Sequence, residues 1–225
     1  MRLIETLLLL TLLLFAGTLF WKAERRPQWV YGAPVISLLL VVVHLGVEGA
    51  RWQLAPAYGL TGIFAVLALA AWGTRSSSAS QSDRKWLRLS GVVCSLVLIG
   101  ITAAAATALP VFQLPPPSGD YAVGTQKLLL EDKGRPEVIT EDPDDHRELV
   151  VRVWYPADRQ NASTRASYMP SEEAAAFARK YGLPAFTTSH LRLVETHAFE
   201  RAPVADDQPE YPVLLFSHGY NVPPS

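Results

Sequence analysis

The chain has 225 residues, with 20 Lys/Arg against 21 Asp/Glu and a single cysteine, which excludes an intrachain disulfide and a thiolate metal cluster. Residues 1–112 hold nine Lys/Arg against four Asp/Glu, and residues 113–225 hold eleven against seventeen. The near-neutral total is therefore a cancellation, and the acidic second half excludes a nucleic-acid surface, which needs clustered basic residues.

The first half reads as an α-helical transmembrane bundle of about four spans: Leu3 to Phe20, Val30 to Val47, about Leu54 to Trp72, and Leu89 to Phe112. A bilayer core needs roughly 20 apolar residues as helix, with about 17 tolerated. The third run meets that only if Pro56 falls in its first turn. The first is too long for the apolar region of a signal peptide, and no small-x-small site precedes Lys22-Ala-Glu-Arg-Arg26. Cys94, inside the last run, is expected to be an inert buried thiol.

Loop charges orient the bundle. Lys22, Arg25 and Arg26 lie in the first loop, and Arg75, Arg84, Lys85 and Arg88 in the third. The second loop has Arg51 alone, and no basic residue follows the last span until Lys127. Basic residues close to span ends favour the cytoplasmic side, so both chain ends and the acidic half are expected outside it. Trp21, Trp29, Trp52, Trp72 and Trp86 fall near span ends, where amphipathic rings sit at headgroup level. Within the spans, His44 and Glu48 are four apart and share a helix face. A proton relay or metal site needs more partners than the sequence offers there, so the pair reads as an interfacial Glu beside a His. No metal and no cofactor is expected. Gly62 and Ala103 to Ala106 suit close helix packing.

Gly73 to Ser82 is a Ser-rich loop, and residues 113–119 form a Pro-rich linker that marks the domain boundary. Beyond it the pattern turns to strands. Tyr121 to Leu130 is the first, Glu131 to Asp145 a charged turn, and Glu148 to Tyr155 the second, ended by Pro156. Asn161-Ala-Ser163 matches a glycosylation acceptor. Ser171 reads as an N-cap opening a helix to about Tyr181, with Glu172 and Glu173 in its first turn. Leu191 to Phe199 reads as another strand. His190 and His197 read as ordinary surface or loop histidines. Tyr211-Pro-Val-Leu-Leu-Phe-Ser-His-Gly219 is a short continuous apolar strand, of the kind buried on both faces of a parallel sheet, stopping at a His-Gly turn.

Three of these pieces carry a resemblance. Tyr121-Ala-Val-Gly124, Glu148-Leu-Val-Val-Arg-Val-Trp-Tyr-Pro156 and Tyr211 to Gly219 stand in the order found in the platelet-activating-factor acetylhydrolase-like branch of the α/β-hydrolases, and Thr196 to Pro203 is similar to the stretch before the last. The resemblance covers residues 120–219. It implies the N-terminal part of an α/β-hydrolase domain over residues 120–225, and ester hydrolysis through a Ser-Asp-His triad on small or oxidised acyl esters, sometimes on phospholipids. By position, the backbone N–H of Tyr220 matches the family's oxyanion donor, with His218 and Gly219 shaping the turn. His218 is not the family's base. No G-x-S-x-G occurs, and Ser217 stands in the oxyanion strand rather than at an elbow.

The expectation is thus a membrane-anchored serine ester hydrolase at the plasma or inner membrane, its hydrolase part extracytoplasmic. Its partners would be the bilayer and an acyl ester or phospholipid. The 225 residues end before the nucleophile and would be inactive alone. Two other readings stand beside this one. One is a non-enzymatic polytopic protein with a small exterior binding domain. The other is a transporter or sensor, which ionisable residues facing each other in the bundle would favour.

Overall fold

The structure is a computed structural model that describes residues 1–21, 27–73, 84–142, 144–159 and 163–217. The chain separates into two units: Met1–Val111 with Phe186–Leu193, and Phe112–Ala185 with Val194–Ser225.

The first unit is built from four apolar helices: α1 (Leu3–Thr18), α2 (Gly32–Val47), α3 (Ala55–Gly73) and α4 (Arg84–Ala108). Pro34 and Pro56 both fall in first turns, where a missing N–H costs nothing. Helix α4 stops four residues short of the expected Phe112, because Pro110 disfavours helical backbone at Leu109. Helix α1 packs on α2 and α4, and α3 packs on the same two, closing a ring. Three helical stretches, Trp29–Val47, Trp52–Ala70 and Arg88–Ala108, are long and apolar enough to cross a membrane. Helix α1, at 16 residues, spans roughly 24 Å and falls short of a hydrocarbon core of about 30 Å.

Inside the ring, Leu8, Leu12, Phe15, Leu60, Phe64 and Ile99 form the core, with the Phe15 and Phe64 rings tilted at 4.8 Å. Buried hydroxyls of Ser37, Thr61 and Thr102 donate to the carbonyl four residues back, which satisfies them within their own helices. The outward faces are also apolar: Val42 is 63% exposed and Leu69 70%. A helix apolar on both faces suits a membrane or the core of a larger protein. Cys94 belongs to that outer face and is exposed, not buried as expected. An apolar run carries no record of which side faces its neighbours. Trp29 and Trp86 are likewise exposed.

The second unit is a mixed four-stranded sheet in the order β2-β1-β4-β3. The strands are β1 (Ala122–Pro136), β2 (His146–Ala157), β3 (Arg165–Ser167) and β4 (Glu195–Glu200). β1 and β2 form a long antiparallel hairpin, so the charged stretch after Leu130 continues as strand to Pro136 and only then turns. Asp132 opposite Arg147 is an opposite-charge pair that favours the ladder, while Glu131 is carried in it opposite Glu148. β4 runs parallel to β1 through Val123–Thr125. The expected strand from Leu191 begins only at Glu195, and Ala185–Leu193 is 3₁₀ helix. Helix α5 (Ser171–Lys180) has Pro170 as its N-cap, so Ser171 is the first helical residue rather than the cap. It buries Ala174 and Ala178, one turn apart, on one stripe.

Gly124 faces Tyr155 across the hairpin, and a Cβ there would lie 2.3 Å from the Tyr155 ring. That ring cannot swing away freely, because its hydroxyl donates to the Ala202 carbonyl at 2.7 Å. Gly124→Ala is therefore expected to destabilise this unit by about 1–3 kcal/mol as an overpacking change. Chemical denaturation of the wild type and the variant checks this, and equal midpoints would show that the ring yields.

Candidate functional site

The turn expected to hold an oxyanion is approached through Tyr211. The Tyr211 hydroxyl donates to one Asp207 oxygen at 2.5 Å, and the Tyr121 hydroxyl donates to the other. Gln208 donates to the Tyr121 oxygen at 3.2 Å, and the two tyrosine rings meet edge to face at 6.0 Å. The segment that leads to the turn is thereby pinned beside the start of β1. The hydrogen bonds from Tyr121 and Tyr211 hold the Asp207 carboxyl below its usual range. In return the carboxylate pushes both phenols up. The depressed Asp207 adds stability that is present above its unfolded value, about 3.9, and is lost as pH falls through its folded value. The raised phenols add stability that is complete below about pH 10 and lost as pH rises through their folded values. The clamp is therefore expected to hold from about pH 4 to about pH 10. Absorbance titration at 295 nm should show late-ionising tyrosines, two of which Asp207→Asn should return to the ordinary range.

Beyond the clamp, residues 211–217 make no ladder with the sheet, and the side chains from Val213 to Phe216 are each at least 86% exposed. This departs from the expected buried strand. Buried strand character needs a neighbour on each face, and among the described residues nothing covers this run. His218, Gly219 and Tyr220 lie outside the described residues, so the expected oxyanion donor has no geometry here. Asn161 of the glycosylation triplet lies outside them as well.

His190 and His197 are not the free surface histidines expected. His197 shares a hydrogen bond with the Leu114 carbonyl at 2.8 Å. His190 is 5% exposed, and burial first, then the nearby Arg51 charge, pulls its pKa down. On the sheet, a cleft of about 210 Å³ is lined by Thr125, Lys127, Arg152, Glu173 and Arg201. Its charges pair internally, Lys127 and Arg152 both reaching Glu173.

The first unit holds a second constellation, which the sequence reading reached only in part. In an up-and-down ring, the start of α1, the end of α2, the start of α3 and the end of α4 share one end, and charged residues converge there. Arg51, 1% exposed, donates to Glu5, 0% exposed, at 2.5 Å. Its other terminal nitrogen donates to the Leu109 carbonyl at 2.6 Å, covering the open end of α4. Arg2 donates to the carbonyls of Glu48 at 2.6 Å and Leu193 at 3.2 Å. His44 Nδ1 lies 2.9 Å from Glu48 Oε2. The loop turns here because Gly49, at φ +80°, closes α2 with its N–H on the His44 carbonyl. Among the described residues, His44 Nε2, both amide atoms of Gln53 and the Tyr58 hydroxyl are buried without a partner. Glu5, Arg51 and Gln53 were not singled out from the sequence. The available signal was that Arg2, Glu5, Glu48 and Arg51 all sit at the span ends that alternate onto one side.

The class these observations define is a helical, membrane-type unit joined to a mixed sheet consistent with part of an α/β-hydrolase. The family model for platelet-activating factor acetylhydrolase, isoform II, matches residues 106–222, just over half of the chain, and the chain belongs to that family. Membership points to an esterase- or lipase-like hydrolase. No curated protein and no solved structure matches the chain.

Proposed function

We propose that this chain is the N-terminal part of a membrane-anchored carboxylic ester hydrolase, with a polytopic membrane domain over residues 1–112, a linker over 113–119 and hydrolase sequence from residue 120. The observation that carries the reading is the family match over residues 106–222, which takes in Tyr211 to Gly219. The chemistry would be attack by a serine on an acyl carbonyl, with a histidine taking its proton and an aspartate orienting that histidine. The Tyr220 N–H would hold the oxyanion, on a turn formed by His218 and Gly219. The substrate class is a short or oxidised acyl ester, on a phospholipid or free. Four spans, the first formed by α1, would place this part outside the cytoplasm.

The test is expression of the whole reading frame beside residues 1–225 alone, each treated with a fluorophosphonate probe and a short acyl ester. The longer product is expected to label and to turn over ester. The 225-residue chain has no G-x-S-x-G and is expected to do neither. Labelling of neither product would end the esterase reading and leave the non-enzymatic one, a polytopic protein with an exterior binding domain.

A second reading, in which the helical unit itself transports or senses, gains from one observation. Ionisable residues do face each other in it: Arg51 with Glu5, and His44 with Glu48.

A further inference from the structure

We propose that the polar end of the helical unit is a divalent-cation site built from Glu5, His44 and Glu48. One ligand atom from each residue lies within 4.8 Å of the other two. Glu5 and His44 are fully buried, and the Glu48 side chain is 13% exposed.

A second observation concerns His44 by itself. One ring nitrogen is held by Glu48 at 2.9 Å, and the other, Nε2, is buried with no partner among the described residues. A carboxylate on one imidazole nitrogen fixes the tautomer that offers a lone pair at the other, which is how ligating histidines are usually held. A buried lone pair without a donor costs free energy unless something fills it. Glu48 sits on the Nδ1 side of the ring, so it acts as that orienting group when the ion is on Nε2, or leaves its hydrogen bond to become a ligand beside Nδ1. Gln53 and Tyr58, with their own unpartnered buried groups at this end, can hold water on the ion.

The donor set decides the class of ion. One imidazole nitrogen with two carboxylates suits zinc and its first-row neighbours. Calcium needs six or more oxygens, and magnesium keeps to an oxygen shell, so neither is matched. Two carboxylates and a neutral imidazole also balance a double positive charge.

Arg51 is the internal competitor. In the metal-free state its guanidinium neutralises Glu5 at 2.5 Å. It has a second anchorage, the Leu109 carbonyl at 2.6 Å, at a helix C-terminus that favours a cation. When the ion takes Glu5, Arg51 keeps that anchorage. On loading, Glu5 thus exchanges the Arg51 guanidinium for the ion, while Arg51 stays at the end of α4.

The test is zinc binding to the full chain in detergent micelles after chelator stripping, read by calorimetry and by the thermal midpoint. The wild type is expected to take up about one equivalent, with a rise in midpoint. His44→Ala should weaken binding by at least roughly a hundredfold, since it removes a ligand rather than a supporting group. Glu48→Gln, which keeps the shape of the site, should also weaken it. His146→Ala and His197→Ala should leave it unchanged. Arg51→Met should bind more tightly, because the repelling charge has gone, and zinc should restore much of its lost midpoint. A cobalt-loaded sample should show the absorption of a nitrogen-ligated, low-coordinate site. Absence of uptake by the folded wild type overturns the proposal. So does uptake that persists unchanged in both His44→Ala and Glu48→Gln, which would place the ion on surface histidines. The inference does not rest on the hydrolase reading. It supplies a ligand class for the second reading, and because uptake is read at equilibrium, its failure is separate from that of ester turnover or of transport.

Discussion

Arg51→Met is expected to destabilise the helical unit by roughly 3–5 kcal/mol, the cost of breaking a buried ion pair from one side. The variant leaves the Glu5 carboxylate, fully buried, with the Arg2 backbone N–H at 2.9 Å as its remaining partner in place of a guanidinium. It also strips the Leu109 carbonyl of its donor at the end of α4. Removing both partners, in Glu5→Gln with Arg51→Met, should cost less than Arg51→Met alone, because no charge is then stranded. Unfolding of detergent-solubilised protein measures this. A loss under about half a kcal/mol for Arg51→Met would mean that water, not Arg51, carries the Glu5 charge.

In the product of the whole reading frame, Gly219→Val is expected to lower kcat by about 10²–10³-fold with little change in KM, the loss typical of one missing oxyanion donor. A β-branched side chain at position 219 would restrict the backbone there and displace the proposed donor, the Tyr220 N–H, from the developing oxyanion. The donor acts on charge that appears only in the transition state, so the ground-state complex is spared. A variant that loses affinity while keeping kcat would move Gly219 from the oxyanion turn to substrate binding. His218→Ala should have a smaller effect on kcat than Gly219→Val, because the family's base lies elsewhere in the chain.

The helices were legible because membrane-length apolar runs leave little choice of structure: the backbone must satisfy its own hydrogen bonds. Pro56 landed in a first turn, as its run required. Which residues face inward was less legible. Cys94 turned outward and His190 inward, since neither an apolar run nor a loop position records a residue's neighbours. The hairpin outran its expected end at Leu130, because ladder bonds and the Asp132–Arg147 pair carried Glu131 and Asp132 along despite their low strand propensity. The run Val213 to Phe216 shows the reverse case. Its composition is that of a buried strand, yet burial depends on partners that the described residues do not supply.

The sequence by itself determined what kinds of surface this protein has: apolar helices of membrane length, an acidic strand-rich remainder, and the ordered motifs that place it in its family. These follow from composition, period and local turn chemistry, which act over a few residues. Only the tertiary structure decided that Glu5, His44, Glu48 and Arg51 meet, with Arg51 and Glu5 separated by 46 positions in the chain. The reason is that partnership between buried charges is a long-range quantity. Each carboxylate or guanidinium is costly alone in an apolar bundle, and which opposite charge relieves it depends on how four helices close.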